Sequence, residues 1–258
     1  MARQRFGQHF LRDPYAVDSI IALVNPTPRD QVFEIGPGEG VLTAPLVESG
    51  ARVTAVEIDR DLAARLRRQF ARAPRFHLHE GDVLEFPWAD LDGSWKVVGN
   101  LPYNISTPLI MQLLDQARRF SGLTLMLQRE VADRMAAHPA TSAYGRLSVM
   151  VQRRCRVIPQ LELGPDSFAP PPKVHSTVVS LEPSLVEFDP EFESWLAEVT
   201  RAAFSMRRKV LSNALKGLPV QVDFAVAGIA PGARAEDLSV DDFVRLARSC
   251  EPARRALG

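Results

Sequence analysis

Short apolar runs alternate with amphipathic stretches along the first two thirds of the chain. Runs such as Gln31–Ile35, Arg52–Glu57 and 123–127 have the length and apolar character of buried strands. The stretches between them, for example 60–70 and 108–120, repeat apolar residues at helical spacing. Strands that alternate with helices predict an α/β fold, in which a parallel sheet carries helices on both faces.

The pattern changes towards the end of the chain. Two apolar stretches, about 147–156 and 174–182, have no long helical pattern between them and predict an antiparallel pair of strands that closes the sheet. From Pro183 onward the pattern is helical, and Asp189-Pro190 is typical of a helix start. We therefore expect a first domain over 1–183, which begins with a polar arm over 1–13, and a small all-helical domain over 184–258.

Composition narrows the class of protein. No apolar run in the 258 residues approaches the length of about 20 residues that a helix needs to span a bilayer. The first residues also lack the apolar core of a signal peptide, so we expect a cytoplasmic protein without a membrane partner. The two cysteines, Cys155 and Cys250, and the five histidines do not have the spacing of a redox or metal site, and no metal is expected.

Basic residues are clustered although the formal net charge is zero. Guanidinium groups suit contacts with phosphate because their fork can bind two oxygens at once. The arginines between 65 and 68 are best explained as a solvated helix face. Arg207, Arg208 and Lys209 are the stronger candidates for contact with nucleic acid.

A glycine-rich turn follows the first strand of the predicted sheet. Its sequence, Glu34-Ile35-Gly36-Pro37-Gly38-Glu39-Gly40, allows a sharp turn and a close approach of the backbone to a ligand. The glycine spacing differs from that of dinucleotide-binding proteins, which disfavours a pyrophosphate ligand. Glu34 would repel a phosphate but suits a cofactor with an amino group, such as S-adenosylmethionine.

Acidic residues end the next two predicted strands. Glu57 comes 21 residues after Gly36, where a carboxylate can accept hydrogen bonds from ribose hydroxyls. Asp82 ends the third strand, where it could accept a hydrogen bond from the adenine amino group of the cofactor. Either acid alone could simply cap a helix. Their succession at strand ends, with Gly36 before them, favours a methyltransferase pocket.

The tetrapeptide Asn100-Leu101-Pro102-Tyr103 follows the fourth predicted strand. Asn and Pro are common in turns for local reasons, so the tetrapeptide alone could be only a turn. The Asn100 carboxamide oxygen and the Leu101 carbonyl could however accept both hydrogens of an adenine N6 amino group. Tyr103 could stack on the purine ring. These groups would hold an N6 nitrogen ready for methylation.

Together with Gln8-His9-Phe10-Leu11 and Asn104-Ile105-Ser106, these motifs resemble those of the ribosomal RNA adenine N6-dimethyltransferases. The chain looks most like their KsgA type, which modifies small-subunit rRNA, and the resemblance covers nearly the whole chain. It implies a Rossmann-like, S-adenosylmethionine-dependent methyltransferase sheet with a small helical domain. It also implies a set of cofactor contacts: His9, Leu11, Gly36, Glu57, Asp82 and Asn100. His9 is a departure, because asparagine is commoner there.

The resemblance extends to the substrate side. Segment 168–176 looks like the second loop at the target adenine, with Phe168 facing Tyr103 across the base. Segment 203–209, which ends in Arg207, Arg208 and Lys209, resembles an RNA-facing helix. The implied substrate is 16S rRNA in the immature small subunit, where two adjacent adenosines in a hairpin near the 3′ end each receive two methyl groups. We expect the protein to act as a monomer.

Two other functions fit parts of the pattern. A large-subunit (23S) rRNA adenine methyltransferase of the macrolide-resistance type shares the cofactor motifs, but segment 234–239 resembles the small-domain signature of the small-subunit enzymes. A non-catalytic ribosome-assembly factor could keep the fold, but here every cofactor position is retained. A DNA adenine methyltransferase is disfavoured because those enzymes prefer proline where Leu101 stands.

Overall fold

The structure of the protein is a computed structural model that describes residues 8–184, 186, 188–206 and 209–255. The strands are β1 (Phe10–Leu11), β2 (Gln31–Ile35), β3 (Arg52–Glu57), β4 (Phe76–Glu80), β5 (Trp95–Asn100), β6 (Phe120–Gln128), β7 (Cys155–Leu163), β8 (Phe168–Ala169) and β9 (Ser176–Pro183). The helices are α1 (Pro14–Val24), α2 (Thr43–Glu48), α3 (Arg60–Gln69), α4 (Ser106–Asp115), α5 (Arg129–Ala136), α6 (Arg146–Arg154), α7 (Pro190–Ser205), α8 (Leu211–Ala214), α9 (Phe224–Ala227) and α10 (Val240–Arg255).

A seven-stranded sheet has the order β4-β3-β2-β5-β6-β9-β7. Strands β2 to β6 pair in parallel, whereas β9 is antiparallel to both β6 and β7. This confirms the predicted α/β class. The strand order reverses between β2 and β5, and open α/β sheets bind ligands at the carboxyl ends of such strands.

The central strand β2 is buried on both faces. Val32, Phe33, Glu34 and Ile35 are each 1% exposed or less. Strands of parallel sheets are covered by helices on both sides, which explains why β2 is nearly continuous in apolar residues. Glu34 is therefore a carboxyl group in the middle of an apolar layer.

Side-chain caps fix the starts of the helices beside the sheet. Asp13 accepts hydrogen bonds from the N–H groups of Tyr15 and Ala16, with Pro14 in the first turn of α1. Asp59 caps α3 in the same way. Helix α1 thus begins at Pro14, with Asp13 as its cap.

The predicted strand over 147–156 was wrong. Helix α6 occupies Arg146–Arg154, and β7 begins only at Cys155. The Ser148 hydroxyl accepts a hydrogen bond from the Gly145 N–H and so closes the first helical turn. A short apolar run cannot be assigned to a strand or to a buried helix from periodicity alone, which is the reason for the error.

The predicted helix over 108–120 was also too long. Helix α4 ends at Asp115, a short 3-10 helix covers Ala117–Arg119, and Phe120 already belongs to β6. Phe120 is buried and its ring packs edge-on against Trp88, so its side chain contributes to the packing around the sheet and not to helix α4.

The described residues group into two compact units. The first holds residues up to 132 together with 155–184, and the second holds 133–154 together with the residues after 184. The sequence predicted a second domain that begins at 184, whereas residue 184 belongs to the first unit and the second stretch of the second unit follows it. Segment 133–154, which the sequence assigned to the first domain, belongs to the second unit.

The second unit has its own apolar core. Helices α7 and α10 pack together, and the Trp195 indole N–H donates to the Ala247 carbonyl oxygen at 3.0 Å. Phe192, Leu196 and Phe243 are buried beside them. Asp189 caps α7 as the sequence predicted.

None of the described helices is long and apolar enough to cross a membrane.

Gly99, which precedes Asn100 in β5, yields a test of the sheet. A Cβ atom at Gly99 would lie 2.7 Å from the Ile35 carbonyl oxygen, whereas one at Gly122 in β6 would meet its nearest atom at 4.0 Å. We expect Gly99→Ala to lower the free energy of unfolding by about 1–3 kcal/mol because the strands must move apart. Gly122→Ala, the matched control, should change it by less than about 0.5 kcal/mol. Urea denaturation measures both, and equal effects would contradict the crowding.

Candidate functional site

A pocket opens at the carboxyl ends of β2, β3, β4 and β5. Its lining includes all but one of the catalytic and cofactor-binding residues that the sequence predicted: His9, Leu11, Gly36, Glu57, Asp82, Asn100, Leu101, Pro102 and Tyr103. Residues up to 94 positions apart in the chain are therefore brought to one place. Residues 8–11 of the N-terminal arm contribute a further wall of the pocket.

The glycine-rich turn forms the floor of the pocket. Gly36 and Gly38 have φ angles of +62° and +58°, a region that glycine adopts without strain. A Cβ atom at Gly38 would lie 3.1 Å from the Phe10 ring. The turn therefore needs glycine both for its conformation and for its contact with β1.

Glu57 is tied to the glycine-rich turn. Its Oε2 accepts a hydrogen bond from the Gly38 N–H at 3.0 Å, and its Oε1 accepts one from the Asp59 N–H at 2.9 Å. Burial raises the pKa of Glu57 above its usual value, and these two N–H donors oppose the rise. Each carboxylate oxygen keeps a lone pair with which it can accept a ligand hydroxyl.

Asp82 both lines the pocket and caps a short helix. Its Oδ1 accepts a hydrogen bond from the Leu84 N–H at 2.9 Å, at the start of the 3-10 helix Val83–Glu85. The local explanation that the sequence left open for this acid is thus correct. It does not compete with a ligand contact, because a carboxylate has several acceptor positions.

Asn100 is oriented by the N-terminal arm. Its Nδ2 donates a hydrogen bond to the His9 carbonyl oxygen at 2.9 Å. A carbonyl oxygen can only accept, so this bond assigns the carboxamide nitrogen to the arm. The carboxamide oxygen of Asn100 is left as the group that can accept hydrogen bonds from a ligand.

Two contacts fix the side chain of Tyr103, one through its hydroxyl group and one through its ring. Its hydroxyl shares a hydrogen bond with the Ser176 hydroxyl at 2.9 Å, and its ring stacks on the His9 ring with 5.7 Å between centroids. His9 Nδ1 donates to the Pro170 carbonyl oxygen at 2.7 Å. His9 therefore links the tetrapeptide to the second loop, a role that the sequence analysis did not include.

Phe168 departs from its expected place. It is 4% exposed and belongs to the same buried cluster as Leu11 and Val178, and it does not line the pocket. The reason is that Phe168 lies in β8, which pairs with β1 so that Phe168 is opposite Leu11. The structure therefore does not bring Phe168 and Tyr103 to opposite sides of a base.

The sequence analysis missed an ion-pair cluster at the pocket rim. Glu39, in the glycine-rich turn, pairs with Arg12 of the arm and with Arg65 of α3. Arg65 is about half exposed, so its pair contributes little to stability. The cluster still joins the arm to the turn, and the only signal for it in the sequence was the position of Glu39 between two glycines.

Glu34 is among the most buried residues that line the pocket. Its side chain is 1% exposed, and its Oε2 has no hydrogen-bond partner among the described residues. Burial is the main cause that raises the pKa of Glu34 to about 8; the Thr43 hydroxyl opposes this rise, and the nearby charge of Glu57 adds to it. The carboxyl group is thus largely protonated at neutral pH.

Several of the basic residues form ion pairs within the protein. Arg67 pairs with Glu80 at 2.6 Å, which fits the expectation that this arginine run is a helix face. Arg153 pairs with the buried Glu193 at 3.0 Å. Lys209 is exposed, whereas Arg207 and Arg208 lie outside the described residues. Within those residues no group of His, Cys, Asp or Glu is arranged to hold a metal ion, and both cysteines are buried free thiols.

The pocket suits a cofactor that combines hydroxyl, amino and adenine groups. The positive φ angles of Gly36 and Gly38 give a turn without side chains, and Glu57 offers acceptors beside it. The unpartnered oxygen of Glu34 matches a donor such as an ammonium group. These features fit S-adenosylmethionine, and all of them belong to the first unit.

Comparison with known proteins also points to a methyltransferase. Residues 1–251 match the family model described as ribosomal RNA adenine dimethylase. A protein named ribosomal RNA small subunit methyltransferase A, from Methylococcus capsulatus, is 49% identical over 252 residues, which cover 97% of this chain and 98% of the relative.

Solved structures with the same fold span nearly the whole chain. A crystal structure of a dimethyladenosine transferase from Plasmodium falciparum has a TM-score of 0.81 at 28% identity and covers 92% of this chain and 96% of that one. The 23S rRNA methyltransferase ErmE has a TM-score of 0.71 at 25% identity and covers 94% of this chain and 99% of its own.

The burial of Phe168 can be tested by stability. We expect Phe168→Ala to lower the free energy of unfolding by about 3–5 kcal/mol, because it opens a cavity in the core. Phe168→Leu, which keeps most of the volume, should cost less than about 1.5 kcal/mol. Tyr103→Ala removes a half-buried ring and one hydrogen bond and should cost about 1–2 kcal/mol. Chemical denaturation measures all three, and a small effect of Phe168→Ala would mean that the ring is not in the core.

Proposed function

The chain belongs to the ribosomal RNA adenine dimethylase family, and we propose that it dimethylates two adjacent adenosines in a hairpin near the 3′ end of 16S rRNA. S-adenosylmethionine supplies the methyl groups as a cationic donor. The products are N6,N6-dimethyladenosines. The substrate is the immature small ribosomal subunit in the cytoplasm, and the protein acts on it as a monomer.

The orientation of Asn100 is the observation that carries this proposal. Because its nitrogen is bonded to the His9 carbonyl oxygen, its carboxamide oxygen is available to accept an N6–H bond. Leu101, the next residue, is buried, and its N–H donates to the Met126 carbonyl oxygen at 3.0 Å. Together with Pro102, these bonds hold the tetrapeptide rigidly beside the glycine-rich turn. The Leu101 carbonyl is then the second acceptor for the amino group.

The cofactor contacts follow from the lining of the pocket. Gly36 and Gly38 let the backbone approach the methionine part, and Glu57 accepts hydrogen bonds from the ribose hydroxyls. Asp82 accepts a bond from the adenine amino group of the cofactor. His9 and Leu11 close the pocket from the side of the arm. Asn100 therefore contributes to both the cofactor side and the substrate side.

Catalysis by this site consists of positioning. A sulfonium methyl group is already reactive, so the residues need to align the amino nitrogen with it and to exclude competing orientations. Aligned reactants gain about 7–11 kcal/mol of barrier lowering from effective concentration alone. The two acceptors, on Asn100 and Leu101, also draw the N6 hydrogens aside and expose the lone pair of the nitrogen. The proton leaves to water after transfer.

The target base must leave its stack before it can reach Asn100. Turning a nucleotide out of a loop costs a few kcal/mol, and stacking on an aromatic side chain returns about 1–3 kcal/mol. Tyr103 is the ring that receives the base. In the structure the His9 ring stacks on the Tyr103 ring. The two rings can bind the purine together, or the His9 ring can support the Tyr103 ring on the face away from the base.

The small subunit is favoured over the large subunit as the substrate. The relative from Methylococcus capsulatus, at 49% identity, carries a small-subunit name, whereas the similarity to the 23S methyltransferase ErmE is 25%. Residues 1–251 match the model of a family of adenine dimethylases. A non-catalytic assembly factor is disfavoured because the pocket keeps every predicted cofactor residue. Arg207, Arg208 and Lys209 are proposed to contact RNA phosphates.

A direct assay tests the function. Small ribosomal subunits that lack the modification are incubated with the protein and labelled S-adenosylmethionine, and the nucleosides are then separated. We expect label in N6,N6-dimethyladenosine from the 16S rRNA, with none from large subunits treated in parallel. Label in 23S rRNA would favour the alternative function. Cofactor binding without any label would indicate an assembly factor.

Tyr103 gives a test of the base-binding step. We expect Tyr103→Ala to lower the turnover rate by about 10-fold to 100-fold, which corresponds to the loss of one stacking interaction, while cofactor affinity stays within about twofold. Tyr103→Phe keeps the ring and loses only the bond to the Ser176 hydroxyl, so it should stay within a few fold of the wild-type rate. An Ala variant as active as the Phe variant would exclude stacking.

A further inference from the structure

The imidazole ring of His9 covers one face of the Tyr103 ring. The two ring centroids lie 5.7 Å apart, with 30° between the ring planes. A base inserted between two aromatic rings needs about 7 Å between them, because each layer of carbon contacts takes about 3.5 Å. The observed gap is too narrow for a base. In this arrangement a target base can therefore stack only on the other face of Tyr103.

The two contacts of Tyr103 restrain different motions of its ring. The hydroxyl shares a hydrogen bond with the Ser176 hydroxyl at 2.9 Å. This bond lies at the tip of the side chain, on the axis about which the ring turns, so it fixes the axis and leaves the turn free. The torsion about that axis has broad energy wells in aromatic side chains. The stacked ring of His9 opposes the turn, so the plane of Tyr103 depends on His9.

Contacts of both its side chain and its main chain fix His9. Its Nδ1 donates a hydrogen bond to the Pro170 carbonyl oxygen at 2.7 Å, which ties the imidazole to the second loop. Its own carbonyl oxygen accepts the hydrogen bond from Asn100. The next residue, Phe10, pairs with Ala169 in the two-stranded sheet of β1 and β8. The imidazole is thus held firmly enough to support a neighbouring ring.

His9 consequently acts on two different parts of the substrate site. Its main chain orients the Asn100 carboxamide, whose oxygen can accept a hydrogen bond from the N6 amino group. Its side chain sets the plane of Tyr103, on which the purine would lie. The amino group of adenine lies in the plane of its ring. A tilt of Tyr103 would therefore carry the amino group away from the Asn100 oxygen.

We propose that the His9 imidazole is a positioning residue for methyl transfer, which sets the plane of Tyr103 and thereby the angle at which the target adenine presents N6 to Asn100. This role concerns the substrate side of the pocket and differs from the cofactor contact that the sequence predicted for His9. In this assignment the main chain of His9 serves the cofactor side and its ring serves the base. The inference rests on the proposed function, because it takes an adenine as the substrate.

Three substitutions at His9 separate the effect of its ring from that of its hydrogen bond. His9→Ala removes both, His9→Asn keeps a donor, and His9→Phe keeps a ring. All three retain the main-chain carbonyl that accepts from Asn100. We expect His9→Ala and His9→Asn to lower kcat on unmodified small ribosomal subunits by about 10-fold to 100-fold, because the amino group is misplaced. His9→Phe should recover most of this loss.

The Michaelis constant separates positioning from binding. An interaction that acts only in the transition state lowers kcat and kcat/KM equally when it is lost, so in His9→Asn the KM for the subunit and the Kd of S-adenosylmethionine should each stay within about twofold. A matched control, His77→Asn, makes the same change at an exposed histidine of β4 and should keep the wild-type kinetics. A raised KM with an unchanged kcat, or a raised Kd of the cofactor, would overturn the proposal.

A double variant shows whether His9 acts through Tyr103. Once Tyr103→Ala has removed the ring, the further change His9→Asn should lower kcat by less than about twofold, because the ring that it positions is already gone. Losses that multiply would mean that His9 acts on the reaction independently of Tyr103. That result would also overturn the proposal.

The protein alone provides a measurement that needs no activity. The chain has three tyrosines, Tyr15, Tyr103 and Tyr144, and NMR of protein with labelled tyrosine rings resolves their signals. Tyr103→Phe identifies those of Tyr103. We expect the stacked imidazole to shift the Tyr103 ring protons to lower frequency, and His9→Asn to abolish this shift while His9→Phe retains it. The signals of Tyr15 and Tyr144 should stay in place, which shows that the variants are folded.

The NMR result distinguishes the two proposals. Tyr103 signals that do not change in His9→Asn would overturn the role of His9, whether or not the protein methylates RNA. A shift that depends on His9, in a wild-type protein that leaves small subunits unmethylated, would support the geometry of the two rings and contradict the proposed function.

Discussion

One backbone carbonyl group determines which atom of the Asn100 side chain is available to a ligand. The His9 carbonyl oxygen accepts a hydrogen bond from Asn100 and so fixes which end of the carboxamide is free for a ligand. Neither residue could achieve this alone, because an amide that rotated freely would present its nitrogen as often as its oxygen. The orientation depends on β1, which is held by its pairing with β8 and by the contact of Phe10 with the glycine-rich turn. A short strand at the start of the chain thus controls the end of the fourth strand of the parallel sheet.

The two glutamates of the pocket lie in different surroundings. Glu57 is fixed by backbone donors and suits neutral hydroxyl groups, while Glu34 has no donor on its Oε2 and suits a cation. A pocket in which both were permanently ionised would be difficult to fold without its ligand. The raised pKa of Glu34 favours its uncharged form in the empty pocket.

The parts of the site that local sequence determines were predictable. Glu57 and Asn100 end parallel strands, and Gly36 and Asp82 follow one or two residues after theirs. The carboxyl ends of such strands meet at one edge of the sheet. The contacts that depend on distant segments were not predictable. The stacking of His9 on Tyr103 and the burial of Phe168 both result from the pairing of β1 with β8, two-residue strands that carry no periodic signal. Helix α6 was taken for a strand because its apolar run is too short for its period to be read.

The pairing of β1 with β8 also has a consequence for biosynthesis. Phe10 and Leu11 leave the translating ribosome early, but their partners Ala169 and Phe168 follow more than 150 residues later. The wall that orients Asn100 cannot form until most of the polypeptide has been made. A nascent fragment that contains all of the parallel strands but ends before residue 168 would still lack this wall, so the complete pocket forms only after β8 has been made.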